Sequence, residues 1–158
     1  MAKVLVYQND NGSIEIVRPA LAKKSLESES DYWNRVAEKT HSGRAYSVVD
    51  MPHDWIADAK LRSLRKAWIL QNGCLCIDMN RAKKLMIDQV RNRRNDILRK
   101  LDLEFMKAME TMNLSKVQEI GQYKKQLRDL PEVLNQHQFT SISDFESHYA
   151  QVLFVHNL

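Results

Sequence analysis

The sequence predicts an α+β chain: a small N-terminal antiparallel β-rich part with one helix, then a long α-helical hairpin and a short C-terminal segment. Three observations carry this. Asn11-Gly12 and Asn72-Gly73 each lie between short apolar runs, the signature of a tight hairpin turn. From Met79 to Met112 there is neither glycine nor proline. Over that stretch, apolar residues recur at three- to four-residue multiples, the period of a helix with one buried face. The predicted divisions are a β-rich part over 1–78, a helical hairpin over 79–131 and a tail over 132–158.

Val4-Leu5-Val6-Tyr7 and Ile14-Glu15-Ile16-Val17 flank Asn9-Asp10-Asn11-Gly12 and read as two paired strands, the second ended by Pro19. A helix follows from Leu26 to Lys39, capped by Ser28 or Ser30, with Trp33, Val36 and Ala37 facing inward. Tyr46-Ser47-Val48-Val49 is a third strand, closed by Asp50-Met51-Pro52. Asp54 to Lys66 reads as a turn of helix or an irregular segment. Ala67-Trp68-Ile69-Leu70 and Cys74-Leu75-Cys76-Ile77 then form a second hairpin across Asn72-Gly73.

Asp78 is placed to cap the long helix, whose stripe runs through Ala82, Met86, Val90, Ile97, Leu101, Phe105, Ala108 and Met112. At about 1.5 Å per residue such a helix reaches about 50 Å. Asn113-Leu114-Ser115 interrupts it, and Ser115 with Gln118 fits a capping box. A second helix to about Leu130 carries Val117, Ile120, Tyr123, Leu127 and Leu130 on one face, and Pro131 is expected to end it. So short a connection favours an antiparallel hairpin. The second helix would then cover only the distal half of the first. In the tail, Ser143 to Tyr149 predicts a short capped helix, and Val152-Leu153-Phe154-Val155 a terminal strand.

Composition narrows the function classes. The 158 residues are 44% hydrophobic and 28% charged, with a formal net charge of +4. No apolar run approaches the roughly 18 to 20 residues of a membrane span, and the first residues lack the apolar segment of a secretory signal. A cytoplasmic protein with no membrane association is therefore expected. Cys74 and Cys76 are the only cysteines. Their C-x-C spacing suits neither a redox pair nor a zinc site, and they are read as buried thiols. No P-loop, Gly-rich dinucleotide turn, nucleophile elbow or H-E-x-x-H is present. The five histidines, including His53, His137, His148 and His156, match no metal-ligand spacing. No catalytic residue, cofactor or metal is expected.

The basic residues between Arg81 and Lys107 raise the alternative of a nucleic-acid-binding accessory protein. Placed at about 100° per residue they spread round the polar surface instead of forming one track. Asp88 with Arg91 and Asp96 with Arg99 are spaced for local ion pairs, so nucleic acid is not the expected partner. Met86, Met106, Met109 and Met112 are numerous for one helix, and adaptable Met side chains suit a surface that packs on a partner. Leu85, Met86 and Val90 lie where the second helix would leave the first uncovered. These residues are the candidate interaction set.

The order of elements resembles that of a family of small tailed-phage proteins labelled tail assembly chaperone or tail-fibre-associated protein. The residues that carry the likeness include Val4 to Tyr7 with Asn11-Gly12, Ala45 to Asp50 with Pro52, and Leu64-Arg65-Lys66-Ala67-Trp68. Ile77-Asp78-Met79, Arg91-x-x-Arg94 and Leu127-Arg128-Asp129-Leu130-Pro131 complete it. The resemblance implies a non-enzymatic protein of the virion tail or tail fibre, or an assembly factor in the host cytoplasm. It further implies contacts with other tail proteins and a homo-oligomer or symmetric assembly; Arg94 and Arg128, which lie in the matching stretches, join the candidate interaction set.

Overall fold

The computed structural model describes residues 2–20 and 22–155. The chain is α+β and divides after Asp78 into two compact units.

In the first unit, β1 (Ala2–Gln8), β2 (Ile14–Val17) and β3 (Ser47–Met51) form an antiparallel sheet in the order β2-β1-β3. Leu5 pairs with Val17 on one side and Val48 on the other. Central β1 is apolar at four successive positions because both of its faces are covered. Val4 and Val6 pack with Val49, Met51, Trp68 and Leu75. Leu5 and Tyr7, on the opposite face, pack with Trp33, Val36 and Ala37 of α1 (Glu29–His41). All four β1 residues are 0–1% exposed. Burying side chains of this kind contributes roughly 1.5–3 kcal/mol each.

The two hairpins turn differently. β4 (Trp68–Gln71) and β5 (Cys74–Ile77) pair with Gln71 opposite Cys74, leaving Asn72 and Gly73 as a two-residue loop with φ of 51° and 74°. Positive φ at both positions is what the right-handed strand twist requires of such a loop. The β1–β2 loop is longer: Asn9 N–H donates to the Ser13 carbonyl and Gly12 N–H to the Asn9 carbonyl, both at 2.9 Å. Only Gly12 adopts positive φ there, and Asn11 Oδ1 instead accepts from the Ser13 backbone.

Helix α1 starts after Ser28, later than the predicted Leu26, because Ser28 Oγ accepts the Asp31 N–H at 3.0 Å. Ahead of it, Arg35 grips the Glu27 carboxylate through Nε and Nη2 and reaches the Ala22 carbonyl. The segment read as a turn of helix or an irregular stretch takes the helical form, as α2 (His53–Ala57), α3 (Ala59–Ser63) and a 3-10 turn (Arg65–Ala67). Asp58 caps α3 by accepting from Lys60 N–H. The two thiols are not both buried as expected. Leu75 takes the inward position of β5, leaving Cys74 exposed and Cys76 half-buried.

The second unit is helical: α4 (Met79–Glu110), α5 (Leu114–Gln136) and α6 (Ile142–Val155). Leu101 and Ala108 of α4 pack against Ile120 and Leu127 of α5, with Phe105, Val117 and Tyr123 alongside. The turn is capped by Asn113, whose Oδ1 accepts from Lys116 N–H, and not by the Ser115–Gln118 box. Pro131 does not end the second helix. Buried Leu127, Leu130, Pro131 and Leu134 fall on one helical face. Burying Leu134 largely offsets the roughly 3 kcal/mol that an internal proline costs. The extra turns bring the end of α5 back along α4, where Lys83 Nζ donates to the Asn135 and His137 carbonyls at 2.7 Å each. The predicted terminal strand is helix as well: α6, capped by Ser141 Oγ on Asp144 N–H, continues through Val155.

Candidate functional site

The predicted interaction residues fall into two groups. Met86 and Val90 are buried and Leu85 is half-buried, so the stretch expected to need cover from the β-rich part or a partner offers little surface. Arg94 is half-buried and donates to the neighbouring Asn95 Oδ1 at 3.0 and 3.2 Å. Arg128 is exposed and lies about two turns before the end of α5 at Gln136. The charges of α4 pair locally, Arg91 with Asp88 at 2.8 Å and Arg99 with Asp96 at 3.4 Å.

Met106, Met109 and Met112 are exposed at the closed end of the hairpin, Met112 to 85%. Leu103 and Leu114, not singled out from the sequence, join them at 63% and 69%. Leu103, Met106 and Met109 recur every third residue, on a side turned away from the buried Leu101 and Ala108. Met112 and Leu114 extend the patch across the turn. Five large apolar side chains within twelve positions form a cluster, whereas single exposed apolar residues are ordinary. Exposed Glu104, Lys107, Glu110 and Lys116 border it.

Met112 is built into that turn in an unusual conformation. Its φ is 53°, Asn113 N–H reaches the Ala108 carbonyl at 2.9 Å, and Met112 N–H reaches the Met109 carbonyl at 3.0 Å. This is the left-handed helix ending normally given to glycine. The methionine there is left 85% exposed at the turn.

A second feature lies in the first unit and was not anticipated. A cleft of about 650 Å³ is walled by Trp55 and Trp68 and rimmed by Arg18, Arg62, Arg65 and Lys66. Ile14, Ile16 and Met51 supply its apolar lining. The two indoles meet at 5.0 Å with their planes at 45°. Trp68 is 7% exposed, and its indole N–H has no hydrogen-bond partner among the described residues. The available signal was the dense Arg62-Ser-Leu-Arg65-Lys66 run between Trp55 and Trp68. It was illegible because folding, not spacing, brings Arg18 of the loop after β2 to the same opening.

Elsewhere the polar contacts read as structural. Glu15 accepts from His41 Nε2 at 2.6 Å and Arg44 Nη1 at 3.3 Å, and these bonds, His41 first, hold its carboxyl below the usual range. His137 and His148, eleven apart in sequence, stack at 4.2 Å between α5 and α6. The His53 side chain and all of His156 lie outside the described residues. Among the described residues no group of three His, Cys, Asp or Glu side chains is placed to hold a metal ion, and no helix is long and apolar enough to cross a membrane.

No family model, curated protein or solved structure matches this chain. The class is therefore defined by its own geometry: an α+β chain with an apolar-tipped helical hairpin and a basic, tryptophan-lined cleft.

Proposed function

We propose that this chain is a non-enzymatic protein of a tailed phage, a minor component of the virion tail or tail fibre or a factor in its assembly. It acts through protein–protein contacts made by the closed end of the hairpin, with another tail or tail-fibre protein as the occupant. The reading rests on the exposed cluster of Leu103, Met106, Met109, Met112 and Leu114, together with the sequence resemblance to tail proteins. At about 25 cal/mol per Å² of apolar surface, covering five such side chains is enough for specific docking. Methionines let the patch adjust to its partner's shape. A protein of this kind works in the virion tail, in the host cytoplasm during assembly, or in both, and where it stays in the virion its copy number follows the symmetry of the tail.

The test combines mass spectrometry of purified virions with pull-down from infected cells, using the wild type and Met106→Glu/Met109→Glu. Both substituted positions are exposed, so the fold should survive. The expected result is presence in virions or capture of a tail protein by the wild type, and no such capture by the double variant. Absence from virions with no tail protein captured would overturn the phage reading. Unchanged capture by the double variant would overturn the role of the tip.

A further inference from the structure

From a different part of the molecule, we infer that the cleft of the first unit binds a nucleoside phosphate, with the base against Trp55 and the phosphate held by Arg62, Arg65 and Lys66. The inference is independent of the hairpin tip. Its volume of about 650 Å³ sits within the roughly 300–1,000 Å³ typical of small-ligand sites. The chemistry of the walls narrows the ligand further.

Four cations line one opening, and among the described residues no carboxylate lines it with them. Elsewhere the cations of this chain are commonly paired: Lys3 with Glu29, Arg35 with Glu27, Arg91 with Asp88, Lys124 with Asp102. Clustered cations repel one another, so a lining that carries no carboxylate favours an anion brought from outside. Arg62, Arg65 and Lys66 stand on successive short turns, α3 and the 3-10 turn, held in place by buried Leu64 and Ala67 between and beside them. Arg18 approaches from the other strand side. A phosphate offers several acceptor oxygens to such a group, and guanidinium forks match its geometry.

The aromatic wall accounts for the other half of the ligand. Trp55 is only partly buried although it abuts Trp68, so part of a large π-surface remains open at the cleft. Flat heteroaromatic bases stack on such surfaces without regard to their identity. Neither a bare phosphate nor an uncharged ring would use both halves of this site.

The test is titration of the full chain with AMP, followed by quenching of tryptophan fluorescence and by calorimetry. Adenosine, inorganic phosphate, phosphotyrosine and a dT8 oligonucleotide serve as separate probes. AMP is expected to bind saturably with a Kd of about 1 mM or tighter, and adenosine and phosphate at least about tenfold more weakly. Arg62→Ala/Arg65→Ala, which changes only exposed side chains, should weaken AMP about tenfold or more, and Trp55→Ala by a similar factor. Trp55→Phe should retain most of the binding, with far-UV circular dichroism checking that each variant folds. No saturable AMP binding, or unchanged affinity in the arginine double variant, would overturn the assignment. Phosphotyrosine binding as tightly as AMP would make the ligand a modified peptide. A dT8 affinity more than about a hundredfold above that of AMP would make it a nucleic-acid strand. Either result would also overturn it.

Discussion

Lys124 of α5 places its ammonium 2.5 Å from Asp102 Oδ1 of α4 while lying 4.9 Å from the centre of the Phe105 ring. One cation thus ties the hairpin's two helices together twice. Asp102 is largely exposed, so water screens the ion pair, whereas the ring contact lies on the drier side. In double-mutant cycles read by urea unfolding, Lys124→Ala with Asp102→Ala should couple by about 0.2–1 kcal/mol, shrinking in high salt. Lys124→Ala with Phe105→Leu should couple by about 0.5–1 kcal/mol and resist salt. Strict additivity in both cycles would remove Lys124 as the link.

Met112 carries a backbone cost that glycine would not. A left-handed conformation costs a side-chain-bearing residue about 1–2 kcal/mol, part of which glycine returns through its freer unfolded chain. Met112→Gly should therefore stabilise the second unit by about 0.5–1 kcal/mol. The same variant should weaken capture of a tail protein, because it removes an exposed member of the tip. A lower midpoint of thermal unfolding would contradict the assigned turn.

Arg35 and the Lys24 backbone N–H, in that order of effect, hold the Glu27 carboxyl at about 2, against an ordinary 4.5. A folded value below the unfolded one means that the contact stabilises fully above pH 4.5 and loses its effect as the pH falls toward 2. A carbon-detected NMR titration should find the Glu27 midpoint near 2. Arg35→Gln should move it back up toward the ordinary carboxylate range. An ordinary midpoint in the wild type would mean that the two side chains do not hold one another in solution.

Gly121 and Gly73 make opposite predictions from similar surroundings. A Cβ at either would meet nothing within 4 Å, so packing does not distinguish them. Gly121 lies inside α5, where alanine is preferred by about 0.5–1 kcal/mol, and Gly121→Ala should stabilise by that amount. Gly73 has φ of 74°, and Gly73→Ala should destabilise by about 1–2 kcal/mol. Chemical denaturation of both variants checks the pair; a gain at Gly73 would refute the turn geometry.

The helices and hairpins were legible where one signal dominated. Asn72-Gly73 specified a two-residue turn because both positions need positive φ. Asn11-Gly12 looked alike in sequence, yet the side chains of Asn9, Asn11 and Ser13 bond to one another and stabilise a longer loop. Pro131 misled because a local rule was outweighed by the burial of Leu134 one turn later. Val152 to Val155 misled because an apolar run has no period to separate strand from helix. At the functional surfaces, Met106, Met109 and Met112 could be suspected from their number alone. The cleft could not, since its parts come from β2 and its end, β3, α2, α3, the 3-10 turn and β4, and no spacing along the chain records that convergence.

The double burial of β1 also has a kinetic side. Its pairing with β3 requires Ala2 to meet Met51 and Val6 to meet Ser47, contacts that span more than half of the first unit. The hairpin of the second unit closes around Asn113 with near neighbours meeting first. Distant pairing slows folding and local pairing speeds it. The helical hairpin therefore has the topology of the faster folder. The sheet is the slower element, and until β3 arrives, β1 remains an exposed sticky edge that invites intermolecular strand addition.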